Sequence, residues 1–185
     1  MMKKNLFISS ITFFIALICA TDALAANSKI YFGADYVYSD IKYKESSEFT
    51  LKDNYNVISP VIGFNSYGVG LEAFYQFSDE SENDHGVKSS LSAYGIDLVG
   101  EAPLSDHFYL VVSIGMAKYK FEIKDANGYK YDQSVNGPRF GIGLQFDVLP
   151  HVAIRTMYHY TSLNSGKTEN FEAVSEFSGG VRISF

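Results

Sequence analysis

The chain of 185 residues has no tryptophan, one cysteine and four prolines, and charged residues make up only 19% of it. The lone cysteine, Cys19, lies within the first twenty residues, so the rest can form no disulfide and must be stabilised by packing. Low charge beside 16% aromatic residues excludes intrinsic disorder, which requires few aromatics and a dominant net charge. A formal net charge of −6 leaves no basic footprint for a nucleic-acid backbone, so no nucleic-acid partner is expected. The one long hydrophobic run, Leu6 to Ala20, falls short of the ~20 residues that a spanning helix needs. Helical periodicity is almost missing.

What is present begins with that run. Lys3 and Lys4 precede it and Ala23-Leu24-Ala25 follows it, the pattern of a secretory leader cleaved after Ala25. Ile18 is bulkier than the small residue that lipoprotein processing needs before its cysteine, so Cys19 reads as part of the leader. The expected organisation is a cleaved signal peptide, 1–25, and one domain, 26–185. Lys3, Lys4 and Asp22 carry +1 between them, which puts the mature chain at −7.

Eight segments then alternate with period two, separated by stretches rich in Gly, Ser, Asn and Asp. In the first, Ile30, Phe32, Ala34, Tyr36 and Tyr38 share a face, and Tyr31, Gly33, Asp35 and Val37 share the other. The sixth sets Pro138, Phe140, Ile142, Leu144 and Phe146 against Arg139, Gly141, Gly143, Gln145 and Asp147. The others run from Val57, Tyr67, Ala93, Phe108, Val152 and Glu176. Each is about ten residues, the length with which a tilted strand crosses a bilayer. A soluble sandwich would carry Lys, Thr and Glu on its second face. Here that face carries Gly, Ala, Ser and isolated charges, which suit the crowded interior of an eight-stranded barrel.

The links between segments alternate in length. Ser39 to Tyr55, Ser78 to Ser89, Glu122 to Asn136 and Ser162 to Asn170 are long. Asn65-Ser66, Gly100 to Asp106 and Val148 to Pro150 are short. The predicted fold is therefore all-β: an eight-stranded antiparallel transmembrane β-barrel, apolar side out, with both termini periplasmic and four long extracellular loops. Closure removes strand edges that lipid could not satisfy.

Three stretches, Tyr94-Gly95-Ile96-Asp97-Leu98, Gly137 to Gly143 and the terminal Gly179-Gly180-Val181-Arg182-Ile183-Ser184-Phe185, resemble strands of the small outer-membrane barrel families related to OmpA, OmpX and the opacity proteins, often labelled "porin family". In that resemblance, Val181, Ile183 and the terminal Phe185 stand where such barrels present their signal to the barrel-assembly machinery. It implies the outer membrane of a Gram-negative bacterium. It leaves the activity open, because members of the group serve as adhesins, envelope-stabilising proteins and surface antigens.

The only arginines after the leader, Arg139, Arg155 and Arg182, all fall on the inward face. So do Asp35, Glu72, Asp97 and Glu176, with His159 nearby. Lone charges in a narrow lumen cost several kcal/mol, so a salt-bridged structural plug is expected, with His159 bonded to a neighbouring acid. The alternative for the same residues is a small, low-conductance pore. His159-Tyr160-Thr161-Ser162 raises a second alternative, a lipid A-modifying enzyme, since the deacylases of this size carry His and Ser two apart. On a strand, however, Thr161 and not Ser162 shares the face of His159, and that face is inward. No enzymatic activity is expected.

The acidic stretch from Ser78 to Ser89 fits no calcium-loop spacing, and no metal or cofactor is expected. Asn127-Gly128 reads as a hairpin tip. Tyr36, Tyr38, Tyr158 and Tyr160 read as an aromatic girdle. Tyr43, Tyr129 and Tyr131, with Lys42, Lys44, Lys124 and Lys130 around them, are candidate loop contacts with a host or surface ligand; Tyr55 and Tyr119 also fall at the strand ends. The lysines equally suit contact with anionic lipopolysaccharide. The expectation is a monomeric surface protein with a closed lumen, acting in adhesion or envelope structure through its loops.

Overall fold

The computed structural model describes residues 28–43, 53–79, 81–82, 88–124, 130–163 and 171–185, and each regular element among them is a strand. In chain order these are β1 (Ser28–Tyr43), β2 (Asn54–Ser66), β3 (Val69–Phe77), β4 (Ser81–Glu82), β5 (Lys88–Pro103), β6 (Phe108–Lys124), β7 (Lys130–Leu149), β8 (Val152–Ser162) and β9 (Phe171–Ser184). All pairings are antiparallel, in the order β3-β2-β1-β9-β8-β7-β6-β5-β4. A further ladder between β3 and β5, from Val69↔Gly100 to Phe77↔Ser92, closes the sheet on itself. The two-residue β4 continues the position of β3 along β5 through Ser81↔Ser89 and Glu82↔Lys88, so nine strands fill eight positions. The fold is the closed eight-stranded antiparallel barrel that the alternation predicts. Each of the eight segments falls on one of its long strands, the third giving up Tyr67 and Gly68 to a turn.

Side chains divide by parity. Ile96 is 60% exposed while Asp97 beside it is 1% exposed. Ile30, Phe32, Ile58, Ile62, Leu71, Val112, Ile114, Ile142, Ile154 and Ile183 all face outward in the same way. Together they form a continuous apolar belt, far larger than the few hundred Å² that a soluble protein leaves bare, and hydrocarbon is the solvent that accepts it. One end of the barrel carries both described chain ends and the short turns. The other carries the long connections and is called the loop end here.

At the loop-end edge of the belt the outward residues turn polar: Asp40 on β1, Asn56 on β2, Ser92 on β5, Lys118 on β6 and Asn136 on β7. The sidedness of the wall then reverses. On β6 the outward residues are Lys118, Lys120 and Glu122, whereas Tyr119 and Phe121 point inward and are fully buried. Ile41, Tyr55, Leu91 and Val135 fill the same part of the interior. Below the edge the barrel is greasy outside and polar within; above it the wall resembles that of a water-soluble barrel.

Two boundaries differ from the sequence reading. Strands reach 16 residues in β1 and β5, 17 in β6 and 20 in β7, beyond the ten expected. Most of the predicted link from Glu122 to Asn136 is strand, paired as far as Lys124↔Lys130. Backbone pairing does not stop where lipid stops, and the reversed side-chain pattern keeps the hairpin amphipathic in water. The first short turn is also displaced, from Asn65-Ser66 to Tyr67-Gly68. Both of these residues have positive φ, 53° and 81°, as a type I′ hairpin requires, and Gly68 takes that region without strain. Asn65 secures the turn by accepting the Gly68 N–H at 3.1 Å through its side chain.

Candidate functional site

The parity of the strands aims the charged residues into the lumen, and register sets which of them meet. Glu72 on β3 lies directly across from Asp97 on β5, so two carboxylates face each other and need cations close by. Arginines from the opposite wall supply them. Arg139 bridges Asp97 and Glu176, the latter at 3.0 Å, with its guanidinium 4.2 Å from the Phe74 ring centroid. Ser39 donates to the other Glu176 oxygen at 3.4 Å.

A second group lies nearer the turn end. Arg182 grips both oxygens of Asp35, at 2.6 and 2.9 Å, and its Nε is 3.5 Å from Glu72. Glu72 also accepts from Arg155 at 3.0 Å and from the Tyr31 hydroxyl at 2.9 Å. Arg155 continues to Glu101 at 2.7 Å and to the side-chain oxygen Oε1 of Gln145 at 2.6 and 2.9 Å. Asp35, Glu72, Asp97, Arg139, Arg155, Glu176 and Arg182 thus all stand in the lumen and in contact with an opposite charge. Fork-shaped guanidinium contacts of this kind fix direction as well as charge.

Three features depart from the sequence reading. Glu101 was placed in a turn, yet it joins the network, because the alternation Ala93, Gly95, Asp97, Val99 runs on by one more step. His159 is buried, but its Nε2 is 4.0 Å from Asp97, too far for the hydrogen bond expected. The interior also holds bulky apolar groups that an inventory of small and charged residues omitted. Above the charges, Tyr119 and Thr161 share a hydrogen bond of 3.0 Å. Phe121 and Phe171 then stack at 4.6 Å between centroids with 14° between planes, and Leu91, Val135 and Leu163 pack into the same cluster. Ion pairs and an apolar cluster thus fill the described interior one above the other. The turn-end mouth includes a cavity of about 60 Å³ lined by Lys29, Tyr31, Glu101, Asp147, Arg155 and Arg182.

The enzymatic constellation does not assemble. His159 points into the closed interior, and Thr161, which shares its face, is held by Tyr119. Among the described residues no group of three or more His, Cys, Asp or Glu side chains could hold a metal ion.

On the outer surface Tyr36, Tyr38, Tyr158 and Tyr160 project from the loop-end half of the belt, joined by Tyr75 and Tyr94. Val181, Ile183 and Phe185 face outward on and after β9. The Phe185 N–H donates to Ile30 at 2.9 Å, and its ring meets Phe32 edge-on at 6.2 Å. Of the tyrosines read as loop contacts, Tyr43 is instead half-buried and packs on Phe171 at 5.4 Å, because β1 continues past the expected boundary. Tyr55 and Tyr119 likewise point inward. Tyr131 lies on β7 opposite Ile123; its side chain, like all of Tyr129, lies outside the described residues, as do Asn127-Gly128 and most of the acidic stretch.

A closed barrel with a hydrocarbon-facing belt, tyrosines near one edge and a charge-paired interior defines a transmembrane β-barrel of the Gram-negative outer membrane. The chain belongs to the outer membrane protein beta-barrel domain family, whose model matches residues 11–185. Its fold is similar to that of Ail, the attachment invasion locus protein of Yersinia pestis, solved in complex with the heparin analogue sucrose octasulfate. That likeness has 16% identity and a TM-score of 0.64, over 86% of this chain and 99% of Ail. Neisserial surface protein A is similar at 15% identity and a TM-score of 0.62, over 85% of this chain and 97% of that one. The N-terminal barrel of Pseudomonas aeruginosa OprF follows the same fold at 14% identity and a TM-score of 0.59, over 85% and 97%. Among curated proteins none matches the chain.

Proposed function

We propose that this barrel is a surface-interaction or envelope-structural protein, monomeric and without enzymatic activity, whose contacts are made at its loop end. The supporting observation is the filled lumen: ion pairs around Arg139, Arg155 and Arg182 lie in series with the stacked Phe121 and Phe171. With the interior filled, chemistry is left to the ends and the outer wall. The loop end carries polar strand extensions that stand clear of the belt. The attachment role in the name of Ail, a protein of the same fold, agrees with this reading.

In this proposal residues 1–25 are the cleaved leader, the turn end faces the periplasm, and the outward Val181, Ile183 and Phe185 serve the barrel-assembly machinery. Candidate partners are lipopolysaccharide and a host or surface ligand; no nucleic acid and no cofactor are involved. Because the chain beyond the leader lacks cysteine, orientation is testable with single introduced thiols. Asp79→Cys at the loop end should react with a membrane-impermeant maleimide in intact cells, and Ser105→Cys at the turn end only after lysis. The reverse pattern would overturn the orientation. Adhesion is tested by replacing 44–52 and 125–129 with short Gly-Ser turns. Loss of host-surface binding with the barrel still folded is the expected result, and unchanged binding removes adhesion by these loops.

A further inference from the structure

At the turn-end mouth, two buried or half-buried polar groups are not satisfied from within the barrel. Register sets Lys29 on β1 directly beside Asn65 on β2, both turned to the interior. Asn65 is 3% exposed and its Oδ1 accepts the Gly68 N–H, but its Nδ2 has no acceptor among the described residues. A buried donor in that state costs free energy that an acceptor recovers. On the far wall the sign is reversed. Asp35, Glu72 and Glu101 each hold a guanidinium. Asp147 on β7 accepts from the Gln145 amide at 3.0 Å and meets no cation among the described residues.

Strand order places these two groups opposite each other. β2 and β7 are four positions apart, in either direction, in a barrel of eight. Space connects them as well. The 60 Å³ cavity that Asp147 lines shares Lys29 and Glu101 with a larger one of about 510 Å³, which Asn65, Tyr67, Pro103 and Tyr109 also line. The larger volume lies in the range of small-ligand sites, and tyrosine and proline supply its apolar surface. A ligand that satisfies both walls carries an ammonium at one end and an acceptor, best a carboxylate, at the other. The two charges of a free amino acid lie too close together to reach both walls. A peptide of three residues spans about 10 Å and carries its charges at its two ends.

We propose that the turn-end mouth binds a short zwitterionic peptide, with its amino terminus on Asp147, its carboxylate on Asn65 Nδ2 and the Lys29 ammonium, and its side chains against Tyr67 and Tyr109. In the orientation proposed above, this site opens to the periplasm. Binding in micelles does not depend on how the protein lies in the cell, so a failure here is distinguishable from a failure of the thiol-labelling experiment.

The test is an NMR titration of the purified protein in detergent micelles with tri-alanine, N-acetyl-tri-alanine and tri-alanine amide. Folding of each variant is checked by its heat-modifiable migration on gels. Each capped peptide should bind about tenfold more weakly than the free one, the factor expected for one charge-assisted hydrogen bond. Asp147→Asn should weaken the free peptide by about the same factor and leave the N-acetylated one unaltered. Asn65→Asp keeps the acceptor that the Gly68 N–H uses and replaces the donor with a like charge. It should weaken the free peptide and spare the amide. Asp132→Asn, the same change as Asp147→Asn but at the loop end, should alter nothing. No binding of tri-alanine, equal binding of the three peptides, or an equal loss in Asp132→Asn would overturn the site.

Discussion

At the scale of single residues, the lumen is governed by the facing carboxylates Glu72 and Asp97. Neither is stable in a closed interior unless a guanidinium reaches it, and each arginine serves more than one acid. Removing one member therefore strands others. Arg139→Met should destabilise the barrel by about 3–5 kcal/mol, the cost of leaving a buried charge uncompensated. Adding Asp97→Asn and Glu176→Gln to the same chain should recover a large part of that loss. Urea titrations in lipid vesicles, read by gel mobility, measure both, and a triple variant no better than the single one would refute this view of the network. Most members were legible in the sequence because parity alone decides which side chain points inward. Partners were not legible, since Arg155 reaches Glu72 across the lumen, 83 positions away in the chain.

At the scale of strands, periodicity located every long element and the face each turns inward, but not where the elements end. Alternation is visible only while the two faces differ in kind. At the edge of the belt the polar and apolar faces exchange places, and a reader who follows greasiness on one face loses the strand at that point. The same exchange placed Tyr43 among the loop contacts on sequence grounds, whereas it packs within, beside Tyr55 and Tyr119 of the strand ends. It also separates two deletions that look alike on paper. Replacing 125–129 with a two-residue Asn-Gly turn should leave a folded barrel. Excising Lys124 to Asn136 removes strand that pairs with β6 and exposes Tyr119 and Phe121, so the expected outcome is loss of the heat-modifiable species. A folded product from the larger excision would show that the extension contributes no structure.

At the scale of the whole molecule, the two fillings in series predict silence in planar bilayers: no reproducible openings of nanosiemens size at either polarity. Such openings would revive the pore. The seam of the barrel has a different consequence. β1 pairs with β9 from Tyr31↔Ser184 to Tyr43↔Phe171, and Arg182 clasps Asp35 across 147 positions of chain. The first segment to emerge from the translocation channel must therefore wait for the last before it finds its neighbour. Until Phe185 has arrived, every assembly intermediate is an open ribbon with a bare border, and its lifetime is set by transport of the polypeptide and by whatever escorts it, since contacts of such long separation form late.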